Sequence, residues 1–251
     1  MSQALALPPI DEMMIRLRVL AGKEQAIALC IAALETGTFR APDGTSEDLG
    51  RERISLEQCA LLAHLARNCP RMLSIEVGFG MGSSAAIILG TRRLQGKQFA
   101  HLIFDPYGLP DNRGVVVQTY LKERFPKGFR RIMKQSEVGL AELLDKRGPG
   151  IAGMIFIDGG HRFENVMTDF VLADQLCCIG GYIVLDDAWF PAIESVINYV
   201  QANRPDYAVA HLAVRNCTVL LKLAEDKRSW DAFKPFKIPN RENWTPVVPR
   251  R

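Results

Sequence analysis

The stretch M-L-S-I-E-V-G-F-G-M-G-S-S, residues 72–84, decides the fold of this chain. Its apolar first half predicts a buried strand, and the pattern after it predicts a helix over 83–94. Between them, Gly78, Gly80 and Gly82 remove side chains where backbone turns sharply and approaches a ligand. A strand, a glycine-rich turn and a helix in this order are typical of an α/β domain that binds a nucleotide.

The glycine spacing differs from the fingerprint of dinucleotide-binding proteins. That fingerprint needs Gly or Ala at its third position, where this chain has Ser83. The difference, together with the lack of a second domain in the sequence, disfavours a nicotinamide-dependent oxidoreductase. A tight strand-to-helix turn without any ligand is the simpler alternative at this point.

Strand-like and helical segments alternate through the rest of the chain. The predicted strands are 72–77, 99–104, 131–134, 153–158, 182–186, 207–212 and 217–223, and the predicted helices are 83–94, 114–125, 137–146, 162–178 and 190–203. This alternation predicts a mostly parallel sheet covered by helices on both faces. The last two strands have only a short connection, which predicts an antiparallel hairpin at or near one edge.

The remaining segments suggest a division into three parts. Residues 9–36 have apolar residues at helical spacing and predict one helix, and S-L-E-Q from Ser55 predicts a capping box that starts another. The Pro- and Gly-containing stretch between them predicts a loop. We therefore expect an N-terminal helical extension (1–54) that caps the site or joins subunits, a main domain (55–224) and a Pro-rich, basic tail (225–251).

Composition narrows the class of protein. The chain has 251 residues, 48% of them hydrophobic, and a net charge of +3, which is too small to indicate binding to nucleic acid or to an anionic membrane. No apolar run is long enough for a membrane span, and no secretion signal is visible. The six cysteines form no CxxC pair, so a zinc ribbon is unsupported. We expect a reduced, cytoplasmic protein.

Acidic residues end two of the predicted strands. M-I-F-I-D-G-G-H ends in Asp158 with His161 close behind, and G-G-Y-I-V-L-D-D ends in Asp186 and Asp187. Buried carboxylates are costly unless something pairs with them, so this group predicts a divalent cation, a proton transfer, or both. The simpler alternatives are that an aspartate caps the next helix and that His161 bonds backbone.

Asp105 ends the second predicted strand in L-I-F-D-P-Y-G. An acidic residue about 20 or more positions beyond the glycines is placed to bond the hydroxyl pair of a ribose. The alternative is a solvated aspartate before a proline turn. Together with the glycine loop, Asp105 favours a cofactor that contains a nucleoside.

These motifs resemble those of class I S-adenosylmethionine-dependent methyltransferases over residues 55–223. The likeness is greatest to metal-dependent small-molecule O-methyltransferases of the macrocin and novobiocin group, and more distant to catechol O-methyltransferase. It implies a doubly wound, Rossmann-like α/β fold with a seven-stranded sheet of order 3-2-1-4-5-7-6 and an antiparallel last strand. It also implies that S-adenosylmethionine donates a methyl group to a hydroxyl of a sugar, phenol or other natural-product intermediate, assisted by Mg²⁺ or another divalent cation.

The resemblance assigns roles to individual residues. It implies that Glu76 and Gly78 line the methionine part of the cofactor, that Ser84 bonds its carboxylate, that Asp105 holds the ribose and that Ser136 contacts the adenine. Gly80, Gly82 and Asp158 complete the predicted cofactor site, and Asp158, Asp186 and Asp187 are the predicted metal ligands. His161 replaces the lysine of the catechol enzymes, so the general base is His161 or Asp158.

Further expectations concern partners and alternative functions. The substrate is expected to enter over loop 106–114, the Trp189–Phe190 segment and the N-terminal helix, and that helix is apolar enough to form a homo-oligomer. A metal-independent methyltransferase acting on nitrogen or carbon is the main rival within the fold. A non-catalytic scaffold is disfavoured, because it would have no use for the carboxylates.

Overall fold

The computed structural model describes residues 3–50, 53–106, 114–214 and 216–239. Its helices are α1 (Ile10–Ala21), α2 (Gln25–Thr36), α3 (Leu56–Asn68), α4 (Ser83–Arg93), α5 (Val115–Arg124), α6 (Ser136–Arg147), α7 (Phe163–Leu176) and α8 (Pro191–Asn203). Its strands are β1 (Gln3–Ala4), β2 (Thr38–Arg40), β3 (Ser46–Asp48), β4 (Leu73–Val77), β5 (Ala100–Phe104), β6 (Phe129–Ile132), β7 (Ala152–Ile157), β8 (Cys177–Leu185), β9 (Tyr207–Val214) and β10 (Cys217–Lys222).

Eight of these strands form one mixed sheet in the order β1-β9-β10-β8-β7-β4-β5-β6. The seven strands from β4 onward have the predicted order 3-2-1-4-5-7-6, and the last, β10, runs antiparallel to both β8 and β9. The predicted Rossmann-like fold is therefore confirmed. The sequence did not indicate β1, which pairs in parallel with the outer side of β9.

The N-terminal segment differs from its prediction in two ways. The single helix predicted over residues 9–36 is wrong, because the chain breaks after Gly22 and Glu24 caps a second helix by accepting a bond from Ala26 N. The break lets α1 pack on α3 while α2 packs on α4. Within the predicted loop, β2 and β3 form a small antiparallel hairpin.

Two layers of helices cover the sheet. Helices α2, α3 and α4 bury an apolar cluster on one face, and α6, α7 and α8 bury another on the opposite face. The central strands are consequently buried on both sides, as their unbroken apolar sequences require. This packing fixes the carboxyl ends of the strands, where the candidate site lies.

Two further predictions can be compared with the fold. The capping box at Ser55 is confirmed, since Ser55 and Gln58 exchange both side-chain bonds. The described part of the tail packs on α8, where Asn203 bonds the backbone of Lys234 at 2.9 and 2.6 Å. Residues 240–251 of the predicted tail lie outside the described residues. Among the described residues, no helix is both long and apolar enough to cross a bilayer.

Candidate active site

The predicted site residues lie at the carboxyl-terminal end of the sheet. Backbone bonds of 2.9–3.1 Å continue the parallel ladder one residue beyond each strand end; their donors are the N–H groups of Asp105, Gly78, Asp158 and Asp186. This row lies at the carboxyl ends of neighbouring parallel strands, where open α/β sheets bind their ligands. The structure thus brings the glycine loop and the acidic strand ends together.

The glycine loop needs its glycines for different reasons. A Cβ on Gly78 (φ +88°) would lie 2.1 Å from the backbone oxygen of Asp158, and one on Gly82 (φ +73°) would lie 2.7 Å from the Phe79 ring. A Cβ on Gly80 (φ +48°) would meet no atom of the described residues within 4 Å. Gly78 and Gly82 therefore permit close packing of the protein itself, whereas Gly80 keeps space clear above the loop.

Helix α4 begins directly after Gly82 and receives no side-chain cap from the described residues. Its first N–H groups and its dipole make this end suitable for an anion such as a carboxylate. Ser83 and Ser84 in its first turn are buried, and the Ser84 hydroxyl donates to a Glu76 oxygen. The predicted bond from this hydroxyl to a cofactor carboxylate stays a prediction.

Glu76 lies in a buried polar network that sequence reasoning missed. Its other oxygen, Oε2, lies 2.6 Å from Nε2 of His101, and His101 Nδ1 lies 3.0 Å from Ser74 Oγ. No role for His101 in the site was predicted from the sequence. Polar residues within two buried strands were the available signal, because such residues need partners.

Asp105 is hydrogen-bonded to the glycine loop. Its Oδ2 accepts bonds from the backbone N–H of Phe79 at 3.1 Å and from the guanidinium of Arg131 at 2.9 Å. Arg131 also lies over the Phe79 ring, 4.6 Å from its centroid. Asp105 is thus fixed beside the loop, at the position from which the resemblance predicts a ribose contact.

Ser136 is the first residue of α6 and lies close to a buried acid. Asp169 of α7 is 1% exposed, and neither of its carboxylate oxygens has a hydrogen-bond partner of normal geometry among the described residues. Burial raises the pKa of Asp169 to about 6, and the neighbouring Ser136 hydroxyl offsets part of this rise. The predicted adenine contact of Ser136 stays a prediction.

Three side chains converge at the ends of β7 and β8. One ligand atom from each of Asp158, His161 and Asp187 lies within 4.8 Å of the other two. His161 Nε2 lies 3.2 Å from Asp187 Oδ2. Carboxylate oxygens and an imidazole nitrogen at this spacing suit a divalent cation, which would bring opposite charge to two adjacent acids.

Asp186, a predicted metal ligand, lies outside this group. Its Oδ1 accepts bonds from Gln58 Nε2 at 2.7 Å and from Cys217 Sγ at 3.3 Å, and it is 6% exposed. Burial, and to a smaller extent repulsion from Asp187, raises the pKa of Asp186 to about 6. Among the described residues, His161 is therefore the third candidate ligand beside Asp158 and Asp187.

Several carboxylates lie close together around Asp158. The pKa of Asp158 is raised well above its usual range. Desolvation is the largest cause, and repulsion from Asp186, Asp187 and Glu76 adds to it. Asp187 also has φ +49°, an unusual backbone conformation for a non-glycine residue. Such features concentrate at functional sites, where a bound cation would relieve the repulsion.

Aromatic rings border the group. Trp189 stacks on Phe190 with centroids 4.1 Å apart, and Phe190 stacks on His161 at 4.8 Å. Trp189 Nε1 donates to Asp187 Oδ1 at 2.9 Å, so the acid and the imidazole are both oriented by this segment. Loop 106–114 is one part of the predicted substrate entrance, and its residues 107–113 lie outside the described residues.

Part of the chain is similar to a known protein family. Residues 75–188 match a family model described as a methyltransferase domain. An uncharacterized protein, R132, of Acanthamoeba polyphaga mimivirus is 27% identical over 136 residues, which are 51% of this chain and 59% of that protein. The chain thus spans less than two thirds of the length of this curated relative.

Solved structures show the same fold. The SAH-bound Podospora anserina methyltransferase PaMTH1 has a TM-score of 0.56 and 17% identity, covering 88% of this chain and 100% of its own. CalS11, a TDP-rhamnose 3′-O-methyltransferase of calicheamicin biosynthesis, has a TM-score of 0.57 and 12% identity, covering 87% and 96%. The likeness to these structures shows the fold alone, and residues 75–188 are similar to a methyltransferase domain.

Proposed function

We propose that this protein transfers a methyl group from S-adenosylmethionine to a hydroxyl of a small molecule, with a divalent cation held by Asp158, His161 and Asp187. The observation that carries the proposal is the position of this trio. The trio lies next to the glycine loop, at the carboxyl-terminal end of the sheet. Its three residues also belong to the segment 75–188 that matches a methyltransferase domain. A structural neighbour that methylates a sugar hydroxyl supports the choice of acceptor.

The chain offers complementary surfaces for the parts of S-adenosylmethionine. Gly80 leaves space above the loop, and the uncapped end of α4 suits the carboxylate of the methionine part. Asp105, held against the loop, is suited to bond ribose hydroxyls, and Ser136 lies where the resemblance predicts the adenine. Each of these contacts is part of the proposal.

The residues at the strand ends fit a divalent cation by number and type. Two carboxylates and an imidazole converge there, and a positive charge would relieve the repulsion between the carboxylates. When bound, S-adenosylmethionine supplies an electrophilic methyl group, and the cation makes an acceptor hydroxyl more acidic. The protein's own task is then to orient the two reactants and exclude water, which Trp189 and Phe190 assist as walls of the crevice.

The proton of the acceptor hydroxyl needs a base. Imidazole side chains commonly serve as general bases, and the side chain of His161 is 39% exposed. Asp158 is the other candidate. The roles of ligand and base exclude each other for a single nitrogen of His161, because both use its lone pair. His161→Gln distinguishes them: a lost base changes the pH profile of the rate, whereas a lost ligand raises the metal concentration needed for activity.

The experiment that tests the proposal measures transfer of a labelled methyl group to a panel of hydroxylated sugars and phenols. We expect transfer with Mg²⁺ or Mn²⁺, loss with EDTA, and recovery when metal is restored. Transfer that survives both EDTA and Asp187→Ala would reject the metal and leave a metal-independent methyltransferase. Transfer only to amine or carbon acceptors would reject the hydroxyl.

A further inference from the structure

A buried row of polar side chains runs from the sheet to the start of α4. Ser74 and Glu76 are two residues apart on β4, so they face the same side, and Ser74 is the register partner of His101 on β5. Ser84 completes the row from the first turn of α4. All four residues are at most 5% exposed. Four polar side chains in a core are costly unless they form a complete network.

The bonds in this row hold the Glu76 carboxylate from both sides. Ser84 donates to Oε1, and His101 Nε2 lies 2.6 Å from Oε2. His101 is in turn oriented by Ser74, whose Oγ lies 3.0 Å from Nδ1. A neutral imidazole with its proton on Nε2 satisfies these contacts, since Ser74 can donate to Nδ1.

Glu76 retains capacity for another ligand. An ionised carboxylate has about four acceptor positions, and the two bonds described occupy one on each oxygen. The acid also lies near the crevice, because Glu76 is the penultimate residue of β4, two positions before Gly78. An ammonium group beside the uncapped end of α4 would thus meet Glu76, while a carboxylate on the same ligand would meet the helix.

We propose that His101 is a positioning residue that fixes Glu76 to receive the ammonium group of the cofactor's methionine part. This inference rests on the proposed function, because it takes the ligand to be S-adenosylmethionine or its product. His101 itself does not touch the ligand. Its effect passes through Glu76 alone, so it concerns the amino-acid half of the cofactor and leaves the adenosine half unchanged.

The test compares two ligands by titration calorimetry. S-adenosylhomocysteine carries the amino-acid group, and 5′-methylthioadenosine lacks it. In His101→Leu we expect S-adenosylhomocysteine to bind about tenfold more weakly. This change in the dissociation constant corresponds to the loss of about one hydrogen bond. Binding of 5′-methylthioadenosine should change less than about twofold. His101→Gln, whose amide can donate to Glu76, should recover most of the loss, and His211→Leu on β9 is the control.

Each outcome decides between the claims. If the unaltered protein binds neither ligand, the proposed function fails. If it binds both and His101→Leu weakens them equally, or weakens neither, the positioning role is wrong and His101 is structural. If His101→Leu does not fold, His101→Asn carries the test: a greater loss for S-adenosylhomocysteine than for 5′-methylthioadenosine supports the role, and equal loss or no loss overturns it.

Discussion

Gln58 Nε2 lies 2.7 Å from Asp186 Oδ1, and this bond joins the first turn of α3 to the end of β8. The same side chain completes the capping box, because its oxygen accepts from Ser55 N at 2.7 Å. One glutamine therefore starts a helix and holds an acid at the edge of the candidate site. The bond also explains why Asp186 lies outside the group formed by Asp158, His161 and Asp187.

Replacement of Gln58 by Ala should destabilise the protein. The change removes half of the capping box and leaves the buried Asp186 carboxylate with one partner fewer, so we expect a loss of about 1–3 kcal/mol in the free energy of unfolding. Chemical denaturation at neutral pH measures it. Gln175→Ala, on the exposed face of α7, should cost less than about 0.5 kcal/mol. Equal losses in the two variants would show that the Gln58–Asp186 bond contributes nothing.

Asp169 predicts a pH dependence of stability. Its pKa in the folded protein, about 6, exceeds the ordinary value of 3.8, so the folded state binds the proton more tightly than the unfolded state. The stability of the native protein should thus fall as pH rises from about 4 to about 6 and stay lowered above.

Asp169→Asn cannot ionise and should escape that loss. Its advantage in unfolding free energy should be about 2 kcal/mol greater at pH 8 than at pH 4.5, given the two-unit shift. Denaturant titrations of both proteins across this range provide the measurement. An advantage that does not vary with pH would mean that Asp169 titrates normally in the folded protein.

Gly80 and Gly78 should respond differently to alanine. A Cβ on Gly78 would collide with the Asp158 backbone, so Gly78→Ala should lower the melting temperature strongly. A Cβ on Gly80 would enter open space at φ +48°, so Gly80→Ala should fold with a cost near 1 kcal/mol yet weaken cofactor binding at least tenfold. Gly44→Ala, in the exposed hairpin turn, controls for backbone strain. Full cofactor affinity in Gly80→Ala would place the ligand elsewhere.

Trp189→Phe tests how the metal group is oriented. The variant keeps an aromatic ring against Phe190 but removes the N–H that donates to Asp187. Partners of metal ligands typically contribute 10- to 100-fold to metal affinity, so we expect Mn²⁺ binding to weaken by about tenfold. Cofactor affinity should be unchanged. Trp230→Phe, at a 99% exposed position, should alter neither, and a similar effect of both changes would contradict the orientation role.

The alternation of strands and helices predicted a mostly parallel sheet with a hairpin at or near one edge, and the family resemblance supplied the strand order 3-2-1-4-5-7-6. The sequence did not predict the direction of Asp186, which depends on Gln58, 128 residues away. The pairing of Glu76 with His101 depends likewise on the register of two strands. The hairpin of β2 and β3 was missed because its strands are three residues long and mainly polar.

The most direct test of the account is a calorimetric titration of the unaltered protein with S-adenosylhomocysteine. We predict saturable binding at one site per chain, together with a higher melting temperature, and a marked loss of affinity in Asp105→Ala. Absence of binding heat at every ligand concentration, with an unchanged melting temperature, would contradict the central claim that this crevice holds the cofactor of a methyltransferase.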